Sequence, residues 1–284
     1  MKLLRFGPPG RELPGILDAQ GRPRDASALV GDYDLAVRPI AHVVHTLANV
    51  DISKLPLAPA GARIGVPVAG IRKIVCAGMN YADHCAEAGV PIPTEPAFFM
   101  KPSSALVGPY DAIMFPPGGE KLDWEAELAV VIGSPARNVA IERALDHVAG
   151  YTILNDVSER AFQLERGGQW VKGKSCDTFA PLGPWLVTRD EIEDPQSLAI
   201  ELDVNGKPAQ RGNTAAMVFG VAHLVHYISQ FMTLEPGDVV STGTPPGVGM
   251  GQKPPRWLRP GDTVDIRIAG LGAQRQTVAA EVKS

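Results

Sequence analysis

Asp123, Glu125 and Glu127 alternate with Trp124, Ala126 and Leu128, and the run continues into LAVVIG. A strand has a side-chain period of two, so the three carboxylates share one face. An E-x-E run of this kind most often decorates a solvated strand face. Two features pull the other way. Ala129–Ile132 is apolar on both faces, as in a strand leaving the surface, and a fourth carboxylate, Asp156, ends the apolar run YTILND. Carboxylates brought together at strand ends repel one another unless a cation neutralises them. All-oxygen ligands suit a hard ion, Mg²⁺, Mn²⁺ or Ca²⁺, better than zinc.

A second cluster lies in NYADHCAE, residues 80–87, after an apolar strand-like run and a turn at Gly78. On a helix His84 and Glu87 sit three apart on one face, where a carboxylate can orient an imidazole acting as general base; the same spacing describes a plain surface ion pair. Lys101 in FFMKPS and Lys174 in WVKGKSCDTF are either solvated lysines or, beside an acid cluster, positive charge placed where negative charge develops. Gly168–Ser175 matches the phosphate-loop pattern G-x-x-x-x-G-K-[ST] letter for letter. That loop needs a buried strand before it and a helix N-terminus after it. Here a charged, helix-like AFQLERG precedes it and Pro181 and Pro184 follow, so nucleotide binding is rejected. Gly243–Gly251 is likewise no dinucleotide fingerprint, because Pro254 and Pro255 bar the helix it should open.

The elements that must position these groups are mostly strands. With 30 Gly and 26 Pro in 284 residues, the chain is too rich in backbone punctuation for a helical bundle or repeat array. Strands are predicted at 73–77, 97–100, 125–133, 150–155, 184–188, 199–204, 238–242, 263–268 and 274–282, with Asn205-Gly206 as a hairpin turn. Helices are predicted near 81–88, 143–148 and 159–165, and from Ala215 to Leu234, capped by Asn213 or Thr214. The last stretch lacks Asp, Glu, Lys and Arg over twenty residues, but the polar stripe of His223, His226 and Gln230 marks a buried amphipathic helix rather than a membrane span. Residues 1–65 read as a small N-terminal domain, with strands at 2–6 and 15–17, a helix over 40–48, and a linker in the Pro/Gly-rich Leu55–Gly70. Residues 66–284 read as the catalytic domain. The fold class is mixed, β-rich α/β, with a closed or rolled sheet and peripheral helices. A net charge of −4 without long basic runs excludes nucleic acid and anionic membranes as natural partners. Three unpatterned cysteines and an N-terminal apolar run broken at Arg5 and Gly7 point to the cytoplasm.

From about Arg72 onward the chain resembles the fumarylacetoacetate hydrolase family. The likeness is carried in order by NYADHCAE (80–87), FFMKPSSALVGP (98–109), DWEAELAVVIG (123–133), GYTILNDVSERAFQ (150–163), KGKS (172–175) and LEPGDVVSTGTPPGVG (234–249). The resemblance implies a mixed β-sandwich roll, often preceded by a small N-terminal domain and usually a homodimer. It implies Glu125, Glu127 and Asp156 as ligands of Mg²⁺ or Mn²⁺, with Asp123 a flanking acid. It implies His84 and Glu87 as the base dyad, Lys174 as the active-site lysine, and Arg160, Gln163 and Thr244 as contacts for the carboxylate or keto end of the substrate; Lys101 joins these as a substrate-binding candidate. The implied activity is hydrolysis of a C–C bond in a 2,4-dioxo acid (an acylpyruvate) to pyruvate and a second acid. The stretch 165–187 resembles a branch that hydrolyses 2,4-dioxo-3-deoxy sugar acids, with an intermediate of aromatic-ring breakdown as the runner-up substrate. The same enolate chemistry would serve a decarboxylase of oxaloacetate or an isomerase or hydratase of an unsaturated 2-oxo acid. A non-catalytic metal-binding member is a further alternative.

Overall fold

The strands Ala126–Ile132 and Val148–Asn155 pair antiparallel, and every residue of both is buried. They form the middle of a ten-stranded mixed sheet in the computed structural model, which describes residues 1–280. Nine strands run in the order Pro23–Asp25, Leu13–Leu17, Lys2–Phe6, Ala180–Thr188, Val148–Asn155, Ala126–Ile132, Val239–Ser241, Ile74–Gly78 and Ala97–Lys101, and Leu106–Val107 pairs beside Ala180–Thr188. A five-stranded sheet, Lys207–Asn213, Ala199–Val204, Thr263–Ile268, Gly272–Ala280 and Ile113–Phe115, packs against the buried middle of the first. The predicted strand 274–282 is observed as Gly272–Ala280; positions 281 and 282 lie outside the described residues. Asn205 and Gly206, with φ of 53° and 69°, make the hairpin between Ala199–Val204 and Lys207–Asn213, as the positive φ of a type I′ turn requires.

The large sheet does not close on itself, so of the closed or rolled forms expected the closed one is not adopted. Its edges are blunted instead: one is the three-residue, proline-led Pro23–Asp25 and the other ends in Lys101, whose side chain turns inward. Lys2–Phe6 hydrogen-bonds to Ala180–Thr188, so the N-terminal strands extend the same sheet. The stretch 55–70 contains neither helix nor strand and is pinned at several points, by Gly7 N to Arg63 O, Asp25 N to Pro56 O and the Arg63–Asp111 ion pair.

Helices follow the prediction closely at Ile40–Ala48 and Ala82–Ala88, while Ile141–His147 is a 3₁₀ helix. The long helix over 215–234 is not formed. A 3₁₀ turn at Thr214–Ala216, capped by the Asn213 side chain, is followed by an extended link and then by a nine-residue helix, Val221–Ser229. The break has a cause outside the segment: Asn80 accepts from Val218 N through its carbonyl and from Phe219 N through Oδ1, which removes two donors a continuous helix would use. No helix among the described residues is long and apolar enough to cross a membrane.

Candidate active site

Antiparallel pairing brings the start of Ala126–Ile132 beside the end of Val148–Asn155. Ala126 faces Asn155, and Asp156 N donates to Glu125 O. Glu125, Glu127 and Asp156 therefore converge, and one oxygen from each lies within 4.8 Å of the others. All three are buried, which decides against the solvated strand face. The neighbouring strand Val239–Ser241 runs antiparallel to Ala126–Ile132 and delivers Ser241 Oγ and Gly243 N as donors to Glu127 Oε2.

Cations surround part of this cluster. Lys174 Nζ lies 2.6 Å from Glu125 and 2.8 Å from Asp156. Arg160 donates to Glu125 (2.6 Å), Asp123 (2.9 Å) and the Gln163 side-chain oxygen (3.1 Å). Burial works against ionisation of Glu125, but Lys174 and Arg160 outweigh it and hold the carboxyl at about 2. Glu127 behaves in the opposite way. Burial, then Asp156 and Glu125, push its pKa well above the ordinary range, and it accepts hydrogen bonds from a hydroxyl and a backbone N–H. Lys174 loses hydration on burial, yet Asp156 and Glu125 raise its pKa and keep it charged.

Among the described residues, Asp123, Glu125, Glu127 and Asp156 pair only with Lys101, Arg160 and Lys174, which leaves the buried cluster one positive charge short, at Glu127. A buried set of three carboxylate oxygens with that deficit fits a hard divalent cation.

His84 stands at the same cavity on the helix Ala82–Ala88. Its Nδ1 is 2.9 Å from Glu87 Oε2, and Glu87 Oε1 accepts from Gly247 N at 2.9 Å. Glu87 thus ties the histidine helix to the loop that follows Val239–Ser241. Gly247 has a φ of 103°, and a Cβ there would lie 2.0 Å from the Ala209 carbonyl oxygen, so only glycine permits this contact.

The cavity brings His84, Arg160, Gln163, Lys174 and Thr244 together with the acids. Two sequence expectations change. Lys101 does not line the cavity. Its fully buried Nζ bonds Asp156 Oδ1 at 2.5 Å and the Val157 carbonyl, making it a charge partner of Asp156 instead of a substrate contact. Thr244 does line it, but its hydroxyl donates to Ala126 O and accepts from Gln210 Nε2, so no proton remains for a substrate carboxylate. Asp123 proves more than a flanking acid: it accepts from Gly249 N, Met250 N and Arg160 Nε, fastening the glycine-rich loop to the arginine. Sequence reasoning missed Gln210, whose amide joins Ala126 N, Thr244 Oγ1 and Pro245 O, and the apolar wall formed by Phe99 and Trp170.

The C-terminal domain profile of fumarylacetoacetate (FAA) hydrolase matches residues 73–279. The chain belongs to the fumarylacetoacetate hydrolase family. Among structures of this family, fumarylacetoacetate hydrolase from Exiguobacterium antarcticum is 38% identical with a TM-score of 0.86, covering 99% of this chain and 100% of that one. Maleylpyruvate hydrolase from Sphingobium sp. SYK-6, solved with manganese(II) and pyruvate, is 31% identical with a TM-score of 0.82 and the same coverage. A 2-hydroxyhepta-2,4-diene-1,7-dioate isomerase from Mycobacterium marinum is 34% identical with a TM-score of 0.77 over the full length of both chains. A family relative from Burkholderia multivorans, provisionally named a hydrolase, is 56% identical over 281 residues, 99% of each chain.

Proposed function

We propose that the protein hydrolyses a C–C bond of a 2,4-dioxo acid of the acylpyruvate type, releasing pyruvate and a second acid. The observation that carries this reading is the His84–Glu87 dyad facing the acid cluster across one cavity. The manganese and pyruvate held by the maleylpyruvate hydrolase neighbour support it. Glu125, Glu127 and Asp156 would hold Mg²⁺ or Mn²⁺, which supplies Lewis acidity for a developing enolate.

The remaining roles fall to side chains in place. With Nδ1–H donated to Glu87, the Nε2 of His84 carries the free lone pair and takes a proton from water. The resulting hydroxide adds to the C4 carbonyl. The C3–C4 bond then breaks and its electron pair moves toward C2, leaving pyruvate enolate and the second acid; the proton held on His84 Nε2 passes to C3, which completes pyruvate and restores the base. The Lys174 ammonium lies where that negative charge gathers. Arg160 has one N–H on each terminal nitrogen beyond those bonded to Glu125 and Gln163, and these are available to the substrate's carboxylate.

The isomerase neighbour, of similar identity and full coverage, favours a second reading in which the same enolate chemistry moves a double bond. A panel of acylpyruvates supplied with Mg²⁺ or Mn²⁺, followed by loss of enol absorbance, separates the two. The hydrolase reading predicts turnover with stoichiometric pyruvate. No turnover of any acylpyruvate, with oxaloacetate or an unsaturated 2-oxo acid consumed instead, would sink it.

A further inference from the structure

The cavity lining is of two chemical kinds, and the mechanism uses only the charged one. The other kind comprises Met79, Phe99, Leu164, Trp170 and Met250. Apart from the Trp170 indole N–H, none of these side chains carries a hydrogen-bonding N or O. Trp170 is held in place from two sides. Its ring lies over Gly78, where a Cβ would come within 2.5 Å of Cζ3, and it meets Phe99 edge-on with ring centroids 5.6 Å apart. Phe99 in turn presents its face to Lys174 Nζ at 5.1 Å, and Trp170 precedes the short helix Val171–Lys174 that carries this lysine. The apolar wall and the charged Lys174 are therefore joined through one element. Beyond Trp170 and Phe99 lies a second hollow, bordered by Ala97, Phe98, Gln169 and Val171. Trp170 is thus a partition between two spaces, not the floor of one.

We propose that this apolar part of the lining receives an apolar acyl group, alkyl or aryl, and that Trp170 sets the length of group accepted. The inference rests on the acylpyruvate reading, in which the 2-oxo acid end lies among the charged groups and the C4 substituent projects away from them. A polyhydroxylated chain, the substrate suggested by the likeness of residues 165–187, would bring its hydroxyls against thioether, isobutyl and aromatic groups that cannot replace their bonds to water. An apolar chain of equal length loses nothing there and gains by burial.

Two measurements test this. In the first, 2-oxohexanoate and 3-deoxy-2-oxohexonate, equal in carbon number, are titrated into the Mg²⁺-loaded protein by calorimetry. The apolar acid is expected to bind about tenfold or more tightly; equal or tighter binding of the hydroxylated acid overturns the proposal. In the second, kcat/KM is compared for acylpyruvates with short and long alkyl groups. Trp170→Ala should shift the long-to-short ratio by about tenfold toward the long chain, with Trp170→Phe falling between. A ratio that stays put in a folded Trp170→Ala protein overturns the role of Trp170, and if that variant does not fold, the Phe variant and the wild-type titration still decide. Failure of the underlying reading looks different. Preferential binding of the apolar acid without turnover of any acylpyruvate keeps the pocket and removes the hydrolase, whereas turnover that favours hydroxylated chains keeps the hydrolase and removes the pocket.

Discussion

Asp18 in the N-terminal strands and Glu127 in the cavity are both carboxylates withdrawn from water, and their surroundings drive them in opposite directions. Burial opposes charge on Asp18, but Arg22 and Arg24 donate to it together with the backbone N–H groups of Gln20 and Arg22, and its pKa falls to about 2. Glu127 is buried with acids for neighbours and, among the described residues, only Ser241 and Gly243 as donors, so it is pushed well above its ordinary value. The first arrangement is complete: the one carboxylate has two arginines against it, Arg22 and Arg24, and it ties the turn after Leu13–Leu17 to Pro23–Asp25. The second is one cation short, within a cavity that also holds His84. A buried acid cluster becomes a candidate site through what it lacks, not through the number of its acids.

The contrast can be broken or sharpened experimentally. Chelation should reduce acylpyruvate turnover to background and addition of Mn²⁺ or Mg²⁺ should restore it, while thermal unfolding of the Asp18 region stays as it was; chelator-resistant turnover would place the chemistry elsewhere. His84→Ala should lower kcat by roughly 10²–10⁴ with Mn²⁺ affinity retained, and equal loss of metal binding would make His84 a structural prop. Gln210→Leu leaves Ala126 N–H and the Pro245 carbonyl without their buried partner, and should cost about 1–3 kcal/mol in urea unfolding. The smallest effect belongs to Asp18→Asn. Because its folded pKa is depressed, the carboxylate's stabilisation is present above about pH 4 and is lost as pH falls toward 2. The variant should therefore be less stable than wild type at neutral pH and converge with it in that acid window, and a gap that persists at pH 2 would contradict the assigned cause.

The cluster itself was legible in the chain because it obeys local rules. Period-two alternation places Glu125 and Glu127 on one face, and an apolar run that stops at a carboxylate marks Asp156 at a strand end. The Asn205-Gly206 hairpin and the helix Ile40–Ala48 follow from equally local signals. What could not be read depends on partners distant in the chain. The 215–234 helix breaks because Asn80 captures two of its backbone donors. Lys101 leaves the cavity because Val157 and Asp156 claim its ammonium. Gln210 sits in a strand whose pattern gives no hint that its amide reaches Ala126 and Thr244, and Trp170 finds its place only because residue 78 has no side chain.

The claim on which the account rests is that the charge deficit at Glu127 is filled by a divalent ion. Titration of Mn²⁺ into the metal-free protein, with the unbound ion followed by its paramagnetic resonance signal, tests it directly. The account predicts one saturable site per chain in the wild type, competed by Mg²⁺, and no saturable site in Glu127→Gln. Equal Mn²⁺ affinity in the two proteins would contradict it.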